Sequence, residues 1–397
     1  MENLYRQHKI LINRVSTEFN RSLMELLPWN SRLMGIKGFR GTGKTTMMLQ
    51  YIKQHYGFSE DALYVSLDDI YFAANRLSGF VDNFVAYGGK HLFLDEVHKY
   101  TGWALDLKNI YDRYPHIKIT FTASSLLDIV NAQADLSRRA LVFDLQGLSF
   151  REYLNFVLGT SFNKLALADI LKMHETVSFD ISQKVKPLKY FEDYLKSGYY
   201  PFFKEDPDFY HKRIQAVLNM IIEIELPLLK KVSIAKLNKI KQLLYIIAQS
   251  TPFKPNISKL AHKIGISRNT LLEYLTFLDE SKIIERLYTA THGISKLQKP
   301  EKIYLENSNL AYALAFENTD IGNIRETFFL NQLKYVHKVT YPPKGDFKVD
   351  EKYIFEIGGK NKSGKQIAAL DNAFVVADKI ETGFKNKIPL WLFGFLY

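Results

Sequence analysis

The stretch Gly38-Phe39-Arg40-Gly41-Thr42-Gly43-Lys44-Thr45 constrains this chain more than any other. It satisfies the pattern G-x-x-x-x-G-K-[ST] without an error, and Thr46 extends it. Residues 32–37 (RLMGIK) before it suit a short buried strand, and residues 46–52 (TMMLQYI) after it have helical spacing. A glycine turn between strand and helix is the context the pattern needs. The residue types follow from the chemistry of a triphosphate, which wants donors converging from several sides. Gly38, Gly41 and Gly43 let the backbone turn tightly and bring bare N–H groups against anionic oxygens. The helix that follows points its positive end at the same place. Lys44 would reach the β- and γ-phosphates, and Thr45 would offer its hydroxyl to Mg²⁺. Residues 38–46 are therefore the expected ATP-binding segment.

A second stretch, His91-Leu92-Phe93-Leu94-Asp95-Glu96, is an apolar strand ending in two acids, the Walker-B pattern. Phosphoryl transfer needs a metal ligand as well as a phosphate cradle. Asp95 would hold the Mg²⁺ shell, together with Thr45, and Glu96 would polarise the attacking water. Strands are also expected at 62–67, 117–122 and 140–145. The strand at 117–122 runs into Ala123-Ser124-Ser125. Ser124 either touches the γ-phosphate or caps a helix beginning at Leu126, and the residues leave both readings open. Strands alternating with helices predict a parallel sheet covered on both faces, with ligands at the carboxyl ends of its strands. Residues 6–28 carry a helical period that stops near Pro28.

The segments GFRGTGKTT (38–46), FLDEVHKY (93–100), TFTASSLLDI (120–129), LSRRALVFDLQGLSFREYL (136–154) and YLKSGYYPFF (194–203) resemble the AAA-type branch of P-loop ATPases. More narrowly, they resemble a prokaryotic group of AAA-family ATPases that carry a C-terminal domain of unknown function. The resemblance implies an AAA-like P-loop NTPase sheet over 1–150 and a helical lid over 151–235. It implies ATP hydrolysis with Walker-A and Walker-B motifs in the roles just given. It also implies a polar sensor at Ser124, with Ser125 as alternative. An arginine finger is implied between the following helix and the fifth strand, where Arg138 and Arg139 both fit. Such a finger would act on a neighbouring subunit's nucleotide and so would require a homo-oligomer. Two exposed arginines favouring a helix C-terminus remain the plain alternative.

Residues 236–305 read as a winged helix-turn-helix. Ser258–Ile264 ends at Gly265, Ser267 caps a helix from Arg268 to Glu280, and 283–288 and 302–305 are wing strands. Arg268, Asn269 and Thr270 would face base edges if this unit binds DNA, with Lys296, Lys299 and Lys302 on phosphates. A protein-binding module is the competing reading, since Glu273, Asp279 and Glu280 dilute the positive face. Residues 306–397 form a new α/β pattern, with strands expected at 338–341, 353–357, 374–377 and 389–396. It resembles the restriction-endonuclease-like fold, with Asp346 and Glu356 as its two metal-holding acids. The lysine that this chemistry needs is replaced by Gly358, which puts nuclease activity in doubt; Lys360 or Lys362 would have to substitute from a shifted place, beyond a strand expected to end at Gly358-Gly359.

The chain has 397 residues and no cysteine, so disulfides, zinc ribbons and thiol catalysis are excluded. Its 53 Lys and Arg against 42 Asp and Glu give +11, an excess that favours polyanions but also serves plain solubility. The apolar run 217–229 is broken by Glu223, Glu225 and Pro227, and no signal-peptide core opens the chain. A cytoplasmic protein without a membrane partner is expected. Its function would be ATP hydrolysis coupled to a DNA-associated or protein assembly. The alternatives are an ATP-gated nuclease and a non-enzymatic, nucleotide-switched signalling scaffold.

Overall fold

A computed structural model describes residues 1–126, 136, 138–250, 254–290, 299–315 and 320–397. Two compact units divide the chain, 1–147 and 148–397. The first is built on five strands: β1 (Leu33–Gly38), β2 (Ala62–Ser66), β3 (His91–Asp95), β4 (Lys118–Ser124) and β5 (Leu141–Asp144). All pairings are parallel, in the order β2-β3-β4-β1-β5. A parallel sheet must be covered on both faces, and the central strands read as continuous apolar runs for that reason. Leu92, Phe93, Leu94 and Phe121 are fully buried. The helix Lys44–His55 packs Met47, Met48 and Ile52 against Met34 and Ile36 of β1, and Trp29 stacks on Tyr51 at 3.9 Å.

The expected helical run to Pro28 is interrupted. A helix covers Glu2–Arg14, and Leu23–Leu26 makes a separate turn. Side chains of the helix Lys44–His55 take the carbonyls that a continuous helix would use. Gln50 donates to the Ser16 and Phe19 carbonyls, both at 2.8 Å, and Lys53 donates to Asn13 and Val15 at 3.1 and 2.7 Å. Tertiary partners thus outbid the local period. The break frees Arg21 to turn inward, where it is buried.

His8 and His91 are buried in this unit and held neutral. Burial, with a smaller push from Lys118, lowers the His91 pKa to about 3; burial and Lys9 lower that of His8 to about 4. The His91 ring meets the Tyr56 hydroxyl and Thr120 Oγ1, each at 3.0 Å, and His8 Nδ1 accepts the Tyr64 amide at 3.0 Å. Unfolded, both rings titrate near 6.5 and take up protons that the native state refuses. Their contribution to stability is therefore full above pH 6.5 and is lost as pH falls toward the folded values. Melting temperature is expected to drop steadily from about pH 7 to about pH 4.5, and His91→Gln to flatten that slope. A melting temperature constant over this range would contradict the assignment.

The second unit opens with a capping box, Ser149 and Glu152, on the helix Phe150–Leu158. Helices Leu167–Lys184, Pro187–Ser197 and Tyr210–Met220 follow, the last continuing through a π-turn at Ile221–Glu225. Then come Ile234–Ser250, Ile257–Ile264, Arg268–Glu280 and an antiparallel hairpin, β6 (Ile284–Leu287) with β7 (Lys302–Leu305). The helix Ile321–Lys334 precedes a second sheet: β8 (Val339–Thr340), β9 (Phe347–Val349), β10 (Tyr353–Gly358), β11 (Ala373–Ala377) and β12 (Lys387–Pro389). Its order is β12-β11-β10-β9-β8, antiparallel from β8 to β10 and parallel from β10 to β12. The strand expected at 389–396 is corrected: Leu390–Phe395 is a 3₁₀ turn. All six of its residues are buried, which the alternation of a half-covered strand would not allow. The expected boundaries at 235 and 305 lie inside this unit. Ser149 Oγ and Arg151 Nε both donate to the Tyr397 carbonyl, at 2.7 and 3.0 Å. Among the described residues no helix is long and apolar enough to cross a membrane.

Candidate functional site

Strand register decides which motifs meet. Gly38 at the end of β1 pairs with Ser124 at the end of β4, and Leu94 of β3 pairs with Phe121 of β4. Asp95 therefore stands beside Thr122, and the glycine loop, Asp95 and Ser124 share the carboxyl edge of the sheet. The loop itself needs its glycines. Gly41 and Gly43 have φ of 86° and 95°, in the region L side chains avoid. A Cβ on Gly38 would stand 2.3 Å from the Leu145 carbonyl oxygen. Gly43 is the N-cap of the helix Lys44–His55, so the helix dipole opens onto the loop. Phe39, Thr42 and Lys44 are buried, and Thr46 is exposed on the first helical turn. Lys44 Nζ donates to the Gly38 and Phe39 carbonyls at 2.8 and 3.1 Å.

Asp95 is the hub. Its Oδ2 accepts from Thr45 Oγ1 and from the Tyr64 hydroxyl, both at 2.8 Å, and its Oδ1 accepts from Thr122 Oγ1. Burial raises the Tyr64 pKa far above its ordinary value, with the charges of Asp95 and Glu96 adding to it, so the phenol stays a donor. Thr122 Oγ1 also accepts the Glu96 amide at 3.0 Å. Glu96 needs that support, because its φ is 54°, a left-handed conformation that costs a non-glycine residue about 1–2 kcal/mol. Its carboxylate Oε2 lies 3.7 Å from Arg40 Nη1 and 3.5 Å from His98 Nε2. His98 Nδ1 accepts the Ser124 amide at 3.3 Å, which fixes the ring with its other nitrogen toward Glu96. Thr122→Val keeps the shape and removes the hydroxyl shared by Asp95 and Glu96. A bond to a charged group is worth about 1.5–3 kcal/mol, so turnover of a bound nucleotide should fall about 10- to 100-fold and recover in Thr122→Ser. Equal turnover in the valine variant would remove Thr122 from the site.

Arg21, Tyr64, Thr122 and His98 were not singled out by the sequence. Arg21 Nη1 donates to the Thr42 carbonyl of the loop at 2.7 Å, and its Nη2 to Gln146 and Gly147 at 2.8 and 2.9 Å. It ties the loop to the chain's exit from the first unit. Ser124 Oγ accepts from the Leu126 amide at 3.4 Å, a cap-like contact, while its backbone amide serves His98. The helix expected beyond Leu126 lies outside the described residues. Arg138 is exposed and Arg139 half-buried at the turn entering β5. Leu141 pairs with Met34 at the start of β1, so both arginines sit at the end of the sheet opposite the loop. Arg139 is bound to Asp112 through Nε and Nη2, at 3.0 and 3.1 Å.

In the second unit the expected DNA-facing residues separate. Ser267 caps the helix Arg268–Glu280, and Arg268 and Asn269 are exposed at its start, with Thr270 half-buried. Lys299 is exposed, and Lys296 lies outside the described residues. Lys302 is corrected: it is buried, 2.9 Å from Glu326 Oε2 and 3.7 Å from Asp346 Oδ1, because both faces of β7 are covered. Tyr304 donates to the same Glu326 oxygen at 2.7 Å. Asp346 Oδ2 accepts the Ile357 amide at 2.8 Å, and Glu356 Oε1 meets Lys362 Nζ at 3.0 Å. Among the described residues no group of three or more His, Cys, Asp or Glu side chains is placed to hold a metal.

Residues 30–154 match the family model described as an AAA domain. This segment is an AAA-family P-loop ATPase domain. Strand order and motif edge agree with that match, and an AAA-type domain implies ATP binding. Residues 188–321 match a domain of unknown function, DUF8612. The chain is 27% identical over 369 residues to the uncharacterized protein MJ1637 of Methanocaldococcus jannaschii, covering 84% of this chain and 77% of that one. Solved structures with similarity include the Aeropyrum pernix ORC1 protein in complex with DNA, at TM-score 0.33 and 12% identity, covering 80% of this chain and 92% of that chain. AMPPCP-bound DnaA from Aquifex aeolicus is similar at TM-score 0.26 and 13% identity, covering 65% and 85%.

Proposed function

We propose that the chain is a Mg²⁺-dependent ATP hydrolase whose nucleotide state drives a DNA-associated or protein assembly. The observation that carries this is the bond between Thr45 Oγ1 and Asp95 Oδ2, which brings two hard oxygen donors together beside the phosphate loop. That donor set fits Mg²⁺, which would neutralise charge on the β- and γ-phosphate oxygens. Lys44 leaves the loop carbonyls to bind those phosphates. Asp95 is held in place by Tyr64 and Thr122, and Glu96, pinned by the Thr122 hydroxyl, accepts the proton of the attacking water. Ser124 serves as sensor through His98, whose ring joins the Ser124 amide to the Glu96 side. Arg138, exposed at the sheet's far end, is the better placed of the two arginines to reach a neighbouring copy.

The winged helix-turn-helix reading of 236–305 is supported by the capped helix at Ser267 and the hairpin after it. Arg268 and Asn269 would read the major groove. The restriction-endonuclease-like reading of the C-terminal sheet places Asp346 and Glu356 as its acids, but each faces an ammonium group, Lys302 or Lys362. Lys362 thus meets Glu356 as the shifted lysine, while Gly358 still stands where this chemistry places its lysine, and that departure favours a non-cutting domain. ATP turnover measured with and without single- and double-stranded DNA tests the coupling. Duplex DNA is expected to change the rate several-fold, with affinity falling steeply in salt and weakening in Arg268→Ala. A rate and affinity indifferent to DNA would point to a protein partner. Stoichiometric ATP binding without turnover would leave a nucleotide-switched scaffold, and plasmid cutting lost in Glu356→Ala would restore the nuclease.

A further inference from the structure

We propose that Arg40 is a second γ-phosphate ligand, supplied by the phosphate loop itself, and that Glu96 is the partner it leaves when ATP arrives. The inference rests on the ATPase reading above and adds a residue to its site. Arg40 lies inside the loop, between Gly38 and Gly41, and its Nη1 stands 3.7 Å from Glu96 Oε2. Its side chain is 35% exposed and that of Glu96 is 20% exposed, so the pair lies at the mouth of the site rather than in the core. Lys44, four positions on, rests on two neutral carbonyls of the same loop. Both loop cations are thus held by acceptors of this chain that a triphosphate would outcompete.

The terminal phosphate of ATP carries more charge than a carboxylate and offers three oxygens. A guanidinium fork matches it with two parallel bonds, and a compact ammonium does not. His98 Nε2 lies 3.5 Å from the same Glu96 oxygen, with its ring held by the Ser124 amide. Arg139 cannot take this role within one chain. It is bound to Asp112 and enters the sheet at the end away from the loop.

The test compares full-length wild type, Arg40→Ala, Arg40→Lys and Glu96→Gln for binding of ADP and of a non-hydrolysable ATP analogue, and for turnover. Arg40→Ala is expected to keep ADP affinity within about 2-fold and to weaken the ATP analogue by about 10- to 100-fold. Its turnover should fall by about 10²- to 10³-fold, at or below the lower end of the effect of a γ-phosphate arginine. Arg40→Lys should fall between, and its ADP binding reports a folded loop if the alanine variant is unstable. Glu96→Gln should bind the ATP analogue more tightly than wild type, because Arg40 no longer leaves a carboxylate. Equal loss of ADP and analogue in the Arg40 variants, or no loss of either, would overturn the proposal while leaving a hydrolysing wild type intact. A wild type that binds no nucleotide would overturn the ATPase reading with it.

Discussion

Glu96→Gln should bind ATP and fail to turn it over, with the rate down by about 10²- to 10⁴-fold, the usual contribution of a positioned base. The substitution keeps volume and the backbone bond to Thr122, since that bond uses the amide and not the side chain. Asp95 stays in place, held by Thr45, Tyr64 and Thr122. The metal contacts are therefore untouched, Arg40 is freed for the phosphate, and the loss falls on the chemical step while affinity is kept or raised. A drop in affinity that matches the drop in rate would show instead that Glu96 helps to hold the nucleotide.

Lys44→Ala has the opposite signature. Lys44 is buried at the first position of the helix that follows the loop. Removing it takes away the charge-assisted bonds to the β- and γ-phosphates and the two bonds that shape the free loop. Nucleotide affinity should fall by more than about 100-fold, for ADP as well as ATP, and turnover should vanish with it. Calorimetry with both nucleotides checks this. Retained ADP affinity would mean that the loop binds through its amides and that Lys44 acts only later.

Much of the ATPase domain was readable because its signals are local. The loop, the strand before it and the acids at 95 and 96 are spacing patterns, and five strands stand where apolar runs predicted them. The partners of those acids were not readable. Tyr64 looks like an ordinary strand residue until the sheet order sets β2 beside β3. Thr122 becomes a ligand of Asp95 only because β4 lies between β1 and β3. Arg21 sat within a period that predicted continuous helix, and side chains from residues 50 and 53 broke that helix. Lys302 was read as a solvent-facing wing residue. The cover over both faces of its hairpin comes from segments far along the chain, and Glu326 and Asp346 come with it. In the second unit the helix Arg268–Glu280 and the end of the helix before it follow from the cap at Ser267 and the turn at Gly265, both visible as residue types, whereas the cap at Asn256 that starts the helix Ile257–Ile264 was missed.

The most direct measurement is phosphate release by the full chain with Mg²⁺ and ATP, beside a Lys44→Ala preparation purified in the same way. Release that scales with the wild-type protein, saturates with ATP and disappears in the variant is the predicted result. No release from the wild type, or equal release from both, would contradict the assignment of residues 30–154 as a working ATPase.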